Sequence, residues 1–247
     1  MNIFKRILGH IYFFYGMLLF TGTMLIAIIP AGIALMFPEP KRARILHPSY
    51  KIWMSIFLPL VFIRVKRKGK EKFEKGQNYV VVVNHNSLVD IPVSMPWVPG
   101  PNKTLAKVEM AKIPLFGLIY KAGSILLDRS SLENRQHSST AMQETLKMGL
   151  HLTLYPEGTR NKTAKPLQSF HVGAFANAIM AQKPVMPGII FNTKKILPSK
   201  PKLWAWPYTI RFDFLDPIST TGMQLNEKTQ LKDKVFSLME AYILKNQ

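Results

Sequence analysis

Seven short apolar stretches, each bounded by turn-forming or charged residues, recur through the chain from residue 61 onward, and their length and β-branched content predict strands. They cover residues 61–66, 80–83, 104–106, 124–127, 151–154, 184–191 and 208–214. Segments with helical spacing or composition separate several of them and follow the last, at residues 132–148, 172–180 and 228–244. This alternation predicts an α/β fold with a mixed, largely parallel sheet flanked by helices.

The first sixty residues have a different pattern. Residues 11–37 contain no Asp, Glu, Lys or Arg, and this run is longer than the roughly 20 residues that cross a bilayer. A second apolar stretch, residues 53–63, is too short to span and is broken by Pro59. Between the two lies a basic belt formed by Lys41, Arg42, Arg44, His47 and Lys51. Residues 1–60 are therefore predicted to anchor the chain in a membrane, as one kinked span or a shallow hairpin, and residues 61–247 to form the functional domain.

Charge and composition narrow the classes of partner. The 33 basic and 14 acidic residues give a formal net charge of +19, which favours polyanionic partners such as nucleic acid, an anionic membrane or phosphorylated substrates. Cysteine is absent, which excludes a thiol nucleophile, a disulfide framework and cysteine-ligated metal. No Gly-x-Ser-x-Gly elbow is present either, so a covalent acyl-enzyme is not expected.

The strand at residues 80–83 ends at a polar cluster that begins with Asn84 and His85, and Asp90 follows five residues after the histidine. Open α/β sheets place ligand chemistry where such strands end. If the intervening residues coil into a helical turn, the carboxylate can reach one imidazole nitrogen and leave the other free to take a proton. The alternative is a capping loop with an ordinary surface aspartate.

A second polar turn follows the strand at residues 151–154 and reads Tyr-Pro-Glu-Gly-Thr-Arg, residues 155–160. Arg160 offers a planar fork suited to phosphate oxygens, and Gly158 allows a close approach of the backbone. Glu157 is expected either to position Arg160 or to accept a hydrogen bond from a substrate hydroxyl.

These two blocks resemble the glycerolipid acyltransferase family, and within it the 1-acylglycerol-3-phosphate acyltransferases. Three further blocks are similar to the family in the same order along the chain: Lys107 to Gly117, Gly123 to Arg129, and Val185-Met186-Pro187. One departure stands in residues 170–174, where His171 replaces a lysine that many relatives carry. A headgroup contact from that segment is therefore in doubt.

The resemblance implies transfer of an acyl chain from a thioester to the free hydroxyl of 1-acylglycerol-3-phosphate, which gives phosphatidic acid. It implies His85 and Asp90 as the catalytic pair. It assigns substrate binding to Lys107, Arg129, Glu157, Gly158, Thr159 and Arg160. No metal and no cofactor are expected, and acyl-CoA or acyl carrier protein would be the co-substrate. The expected partners are lysophosphatidic acid and an anionic phospholipid membrane, without nucleic acid, and the functional domain is expected on the cytoplasmic face.

Two other interpretations stay open at this point. One is an acyltransferase for a different acceptor, such as an amino-acid lysolipid or glycerol 3-phosphate. The other is a basic module without enzymatic activity that binds membranes or nucleic acid. Nucleic-acid modules interleave basic and aromatic residues on one face, whereas here the aromatic residues concentrate in the N-terminal runs and at residues 204–214. The enzyme is favoured on this ground.

Overall fold

The computed structural model describes residues 2–127 and 132–246. Within these ranges a sheet of seven strands carries helices on both faces. The strands are β1 (Val65–Lys68), β2 (Val80–Val83), β3 (Asn102–Lys107), β4 (Ser124–Leu127), β5 (His151–Leu154), β6 (Val185–Phe191) and β7 (Ile210–Phe214). The helices are α1 (Ile3–Leu35), α2 (Lys41–Leu60), α3 (Asp90–Trp97), α4 (Phe116–Gly123), α5 (Leu132–Lys147), α6 (Gly173–Met180), α7 (Thr193–Ile196) and α8 (Lys228–Asn246).

The sheet order is β1-β7-β6-β2-β5-β3-β4. Strands β6, β2, β5, β3 and β4 run parallel, whereas β7 is antiparallel to β6 and carries β1 parallel to itself. The predicted mixed, largely parallel sheet is thus confirmed. The predicted start of the first strand at residue 61 was wrong, because α2 continues to Leu60 and Phe62 turns with a φ of 57°.

Strand β2 lies in the middle of the sheet, and all four of its valines are fully buried. Val80 and Val82 contact a core built with α5, α6 and α8 on one face. Val81 and Val83 contact the other core, to which α2 and α3 contribute. Burial on both faces explains why this strand is a continuous apolar run rather than an alternating one.

Helix α1 runs unbroken for 33 residues through Pro30. It packs with α2 and α4 through small residues, among them Ala27, Ala31 and Ala34, which let the helices approach closely. Its other face exposes many large apolar side chains, including Ile7, Ile26 and Ile29. Among the described residues, α1 is the one helix whose length and apolar composition would allow it to cross a membrane.

The first turns of α1 are fastened to the segment that follows α7. The backbone N–H of Ala205 donates to the carbonyl of Gly9 at 3.1 Å, and the indole N–H of Trp204 reaches the carbonyl of Lys5 at 3.4 Å. A Cβ on Gly9 would lie 1.8 Å from Nε1 of Trp204, so only glycine fits there. This contact joins the N-terminal helix to the part of the chain that follows β6.

Candidate active site

The carboxyl ends of β2 and β5 bring the two motifs of the sequence together. After β2, the side-chain amide of Asn84 donates to the carbonyl of Ile190 at 3.0 Å and accepts from its N–H at 2.7 Å. This pair of bonds fixes the end of β2 to β6, so His85 starts from a rigid point at the sheet edge.

Asp90 is the first residue of α3 and is completely buried. Its Oδ2 accepts hydrogen bonds from Nδ1 of His85 at 2.9 Å, from the N–H of Asn86 at 2.6 Å and from the N–H of Ser87 at 2.7 Å. Because an ionised carboxylate only accepts, the proton of the imidazole resides on Nδ1 and Nε2 is left as the basic nitrogen. The predicted His85–Asp90 pair is therefore present in the structure.

Glu157 holds the backbone of both motifs. Its Oε1 accepts from the N–H of His85 at 2.7 Å, and its Oε2 accepts from the N–H of Gln168 at 2.9 Å. Burial raises the pKa of Glu157, and these two hydrogen bonds oppose that rise. The side chain is 3% exposed. These contacts indicate that Glu157 positions the backbone of His85. The sequence had suggested that it positions Arg160 or accepts from a substrate hydroxyl, and the contact with substrate stays a prediction.

Residues next to Arg160 also hold the backbone of His85. The N–H of Asn161 donates to the carbonyl of His85 at 2.6 Å, so both backbone polar groups of the histidine are held, one by Glu157 and one by the residue that follows the second motif. Gly158 takes a φ of 69°, in the left-handed region that suits glycine, and turns the chain after β5. Thr159 next to it is exposed.

Arg160 itself is partly exposed, and its carbonyl accepts from the side-chain amide of Gln168 at 3.1 Å. Within residues 2–127 and 132–246 no carboxylate lies in ion-pair distance of its guanidinium. A guanidinium at the sheet edge without a carboxylate partner can take an anionic group of a ligand.

The other predicted cations are placed differently. Lys107 ends β3, at the same edge of the sheet as His85, and is exposed. Arg129 lies outside the described residues. The side chain of His171 is exposed. The residue lies next to the second motif, because its backbone N–H donates to the carbonyl of Pro156 at 2.8 Å.

Two residues of the site were missed by the sequence interpretation. The ring of Tyr155 stacks on the imidazole of His85, with 4.4 Å between ring centroids and 29° between planes. The hydroxyl of Tyr155 is hydrogen-bonded to Oγ of Ser94 at 2.6 Å. Tyr155 directly follows the predicted strand at residues 151–154, and this position was the available signal; Ser94 gave none.

The structure also contains an apolar cavity of about 370 Å³. Its walls come from α1, α2, α3 and α4, and from residues 196, 197 and 205. Leu88 and Val89, which follow His85 in the chain, form part of the lining. A cavity of this size and apolar character suits a hydrocarbon chain.

The comparisons with known proteins identify the family. A model of the family "Acyltransferase" matches residues 64–190, which include His85, Asp90 and Arg160. The chain belongs to the acyltransferase family. As the matched residues are more than half of the chain, the family resemblance seen in the motifs is confirmed.

Several curated proteins resemble this acyltransferase along most of its length. The 1-acyl-sn-glycerol-3-phosphate acyltransferase alpha of Mus musculus is 31% identical over 78% of this chain and 65% of its own length. The protein of that name from Homo sapiens is 29% identical over 90% of this chain and 76% of its own. The 1-acyl-sn-glycerol-3-phosphate acyltransferase of Haemophilus influenzae is 27% identical over 77% of this chain and 79% of its own.

One solved structure shares the whole fold of this acyltransferase. It is the 1-acyl-sn-glycerophosphate (LPA) acyltransferase PlsC of Thermotoga maritima, with a TM-score of 0.75 over 100% of this chain and 99% of the other. Only 21% of the residues are identical, so this likeness concerns the fold.

Proposed function

We propose that this acyltransferase transfers an acyl chain from acyl-CoA or acyl carrier protein to the free hydroxyl of 1-acylglycerol-3-phosphate and releases phosphatidic acid. The observation that carries the proposal is the His85–Asp90 pair, in a segment whose Leu88, Val89 and Ile91 line the apolar cavity. The names of the curated relatives support the choice of acceptor.

The proposed reaction needs one base. Nε2 of His85 takes the proton of the acceptor hydroxyl while its oxygen attacks the carbonyl carbon of the thioester. Asp90 stabilises the imidazolium that forms, since its Oδ2 is already bonded to Nδ1. The tetrahedral intermediate then expels the thiolate of the donor, which receives the proton from Nε2. No group of the chain becomes acylated, and no cofactor is needed beyond the thioester.

The acceptor phosphate is proposed to bind Arg160, with Lys107 on the neighbouring part of the same sheet edge and Arg129 as a further cation. The acyl chain of a substrate is proposed to lie in the apolar cavity. Both assignments follow from chemistry, since a guanidinium suits phosphate and a wall without charged groups suits hydrocarbon.

The proposed location is a membrane, with the sheet on the cytoplasmic side. A helix with an exposed apolar face is stabilised by contact with lipid, and the net charge of +19 attracts anionic headgroups of the cytoplasmic leaflet. The domain boundary at residue 60 belongs to this proposal, with α1 and α2 as the anchoring part.

An acylation assay with the purified protein tests the proposed function. Lysophosphatidic acid, a lysolipid with an amino-acid headgroup and glycerol 3-phosphate are offered in turn, each with acyl-CoA and with acyl carrier protein, and His85→Ala is the control. Phosphatidic acid formed by the wild type but not by the control supports the proposal. Product formed from another acceptor alone would show that this other compound is the acceptor. Equal amounts of product from His85→Ala and the wild type would refute the role of the histidine.

A further inference from the structure

The bond to Asp90 leaves the orientation of the His85 ring incompletely fixed. One hydrogen bond at Nδ1 selects the tautomer, but the imidazole could still turn about the line that joins Nδ1 to Oδ2 of Asp90. A turn of the ring would swing the lone pair of Nε2 away from an acceptor hydroxyl. Something other than the carboxylate must set the plane of the ring.

Tyr155 contacts the face of that ring. The two ring centroids are 4.4 Å apart and the planes differ by 29°, which is a close stacked contact. A flat neighbour on one face opposes the rotation that the bond to Asp90 permits. Any substrate hydroxyl must then approach Nε2 from the direction that the stack leaves open.

The ring of Tyr155 is itself held at both ends. Its backbone directly follows β5, which pairs with β2 in the parallel sheet. Its hydroxyl is bonded to Oγ of Ser94, a fully buried residue of α3. Burial, and next the charge of Asp90, raise the pKa of Tyr155 well above its usual value, so the hydroxyl stays neutral.

Helix α3 is the common support. Asp90 and Ser94 are four residues apart in it and therefore project from the same face. One turn of helix thus holds the carboxylate at Nδ1 and, through Tyr155, the plane of the imidazole.

We propose that Tyr155 is a positioning residue for the acyl transfer: its ring sets the plane of the His85 imidazole, and its bond to Ser94 sets the ring. The inference rests on the proposed function, because it takes His85 as the base. A small misplacement of a reacting group lowers the rate about 10²-fold. Loss of the Tyr155 ring should therefore lower kcat rather than weaken substrate binding.

Replacement of the ring gives the first test. Tyr155→Leu keeps an apolar side chain but removes the stack, and we expect kcat to fall about 10- to 100-fold while KM for both substrates changes less than about threefold. Tyr155→Phe restores the ring, and we expect it to recover most of kcat. An unchanged kcat in Tyr155→Leu, or a loss that appears in KM alone, would overturn the proposal.

The link through the hydroxyl gives a second test that does not depend on Tyr155→Leu being folded. Tyr155→Phe and Ser94→Ala each remove one partner of the same bond, so each should lower kcat a few-fold. The double variant should lose about as much as one single variant, because coupled groups are not additive. Additive losses would show that the two residues act separately and would refute the link.

Two controls separate the possible failures. Tyr79→Leu makes the same change in a tyrosine that stacks on His151, away from the site, and should leave kcat per folded molecule unchanged. His85→Ala tests the base itself: if it stays active, the proposed function fails. If it is inactive and Tyr155→Leu is fully active, only the positioning role fails.

Discussion

Among the described residues, two histidine–tyrosine pairs are stacked, one at each end of the neighbouring strands β2 and β5. At the carboxyl edge, His85 follows β2 and its partner Tyr155 follows β5. At the amino edge, His151 begins β5 and its partner Tyr79 precedes β2. Each strand therefore supplies the histidine of one pair and the tyrosine of the other.

The two pairs differ in what faces Nδ1. Nδ1 of His85 donates to the carboxylate of Asp90, whereas Nδ1 of His151 accepts the backbone N–H of Tyr79 at 3.1 Å. The second imidazole is thereby held without a proton on that nitrogen, and burial lowers the pKa of His151 to about 4. Stacking is shared by both pairs, but Tyr79 and His151 are buried whereas His85 and Tyr155 are only partly buried. The carboxylate at Nδ1 and the partial exposure are therefore what distinguish His85 from His151.

The largest expected difference between the two pairs appears when each histidine is replaced in turn. His85→Ala should lower kcat by about 10³-fold, since the general base is lost. His151→Gln keeps an acceptor for the N–H of Tyr79 and should leave kcat per folded molecule within about threefold. Turnover assays on both variants measure kcat, and circular dichroism checks that they are folded. Similar losses of kcat in both variants would show that the two histidines do not differ in their role.

Asp90→Asn isolates the charge of the carboxylate. The N–H groups of Asn86 and Ser87 favour an oxygen at the position of Oδ2, so the amide oxygen should stay there and the imidazole tautomer should be kept. Charged hydrogen bonds exceed neutral ones by about 1–2 kcal/mol, so we expect kcat to fall about 5- to 30-fold. A loss as large as that of His85→Ala would mean that the tautomer had changed as well.

The cations at the two edges sharpen the comparison further. Arg160 at the carboxyl edge is without a carboxylate partner in the described parts of the chain, whereas Lys103 at the amino edge is buried and pairs with Glu39 at 2.6 Å. Arg160→Ala should raise KM for lysophosphatidic acid about tenfold, because a charge-assisted contact is lost. Lys103→Ala should leave that KM unchanged and lower the melting temperature instead. Initial-rate kinetics and thermal unfolding of both variants provide the measurement.

The last comparison concerns stability in acid, where no change in activity is involved. The pKa of His151 is about 4 in the folded chain and about 6.5 when unfolded. Between these values the unfolded state binds a proton that the folded state excludes, so the free energy of unfolding decreases as the pH falls from 6.5 to 4. The full decrease is about 3 kcal/mol as an upper figure. His151→Gln should reduce the dependence of the free energy of unfolding on pH, measured by denaturant titrations at several pH values. An unchanged dependence would show that other groups cause it.

The sequence was sufficient to predict the sheet, apart from the start of its first strand, and the contact between His85 and Asp90. Periodicity located the strands because each is a short run with a clear polar end, and the spacing from His85 to Asp90 fits a turn followed by a helix start. What it could not supply was long-range pairing. The bond from Glu157 to the N–H of His85 joins residues 72 positions apart, and no local pattern distinguishes a glutamate that accepts backbone hydrogen bonds from one that faces a ligand.

The apolar N-terminal segment was predicted, but the length of helix α1 was underestimated. Charge-free residues marked a membrane-facing run at 11–37, yet α1 starts at Ile3 and includes Lys5 and Arg6. Cations at an end of a helix do not interrupt it, since they can extend to water, so the charge-free run underestimates its length. The fit of Gly9 against Trp204 also lay beyond reach, because it joins parts of the chain 195 residues apart.

The fastening of α1 through Gly9 has a practical consequence for anyone who wants a water-soluble form of the enzyme. Trimming the N-terminus is the usual route, but α1 supplies Tyr12, Gly16 and Phe20 to the wall of the apolar cavity. A trimmed chain would lose that wall together with the exposed apolar face of α1. Solubility is better sought by changing outward side chains such as Ile26 and Ile29 to polar residues, which leaves the helix and its attachment in place.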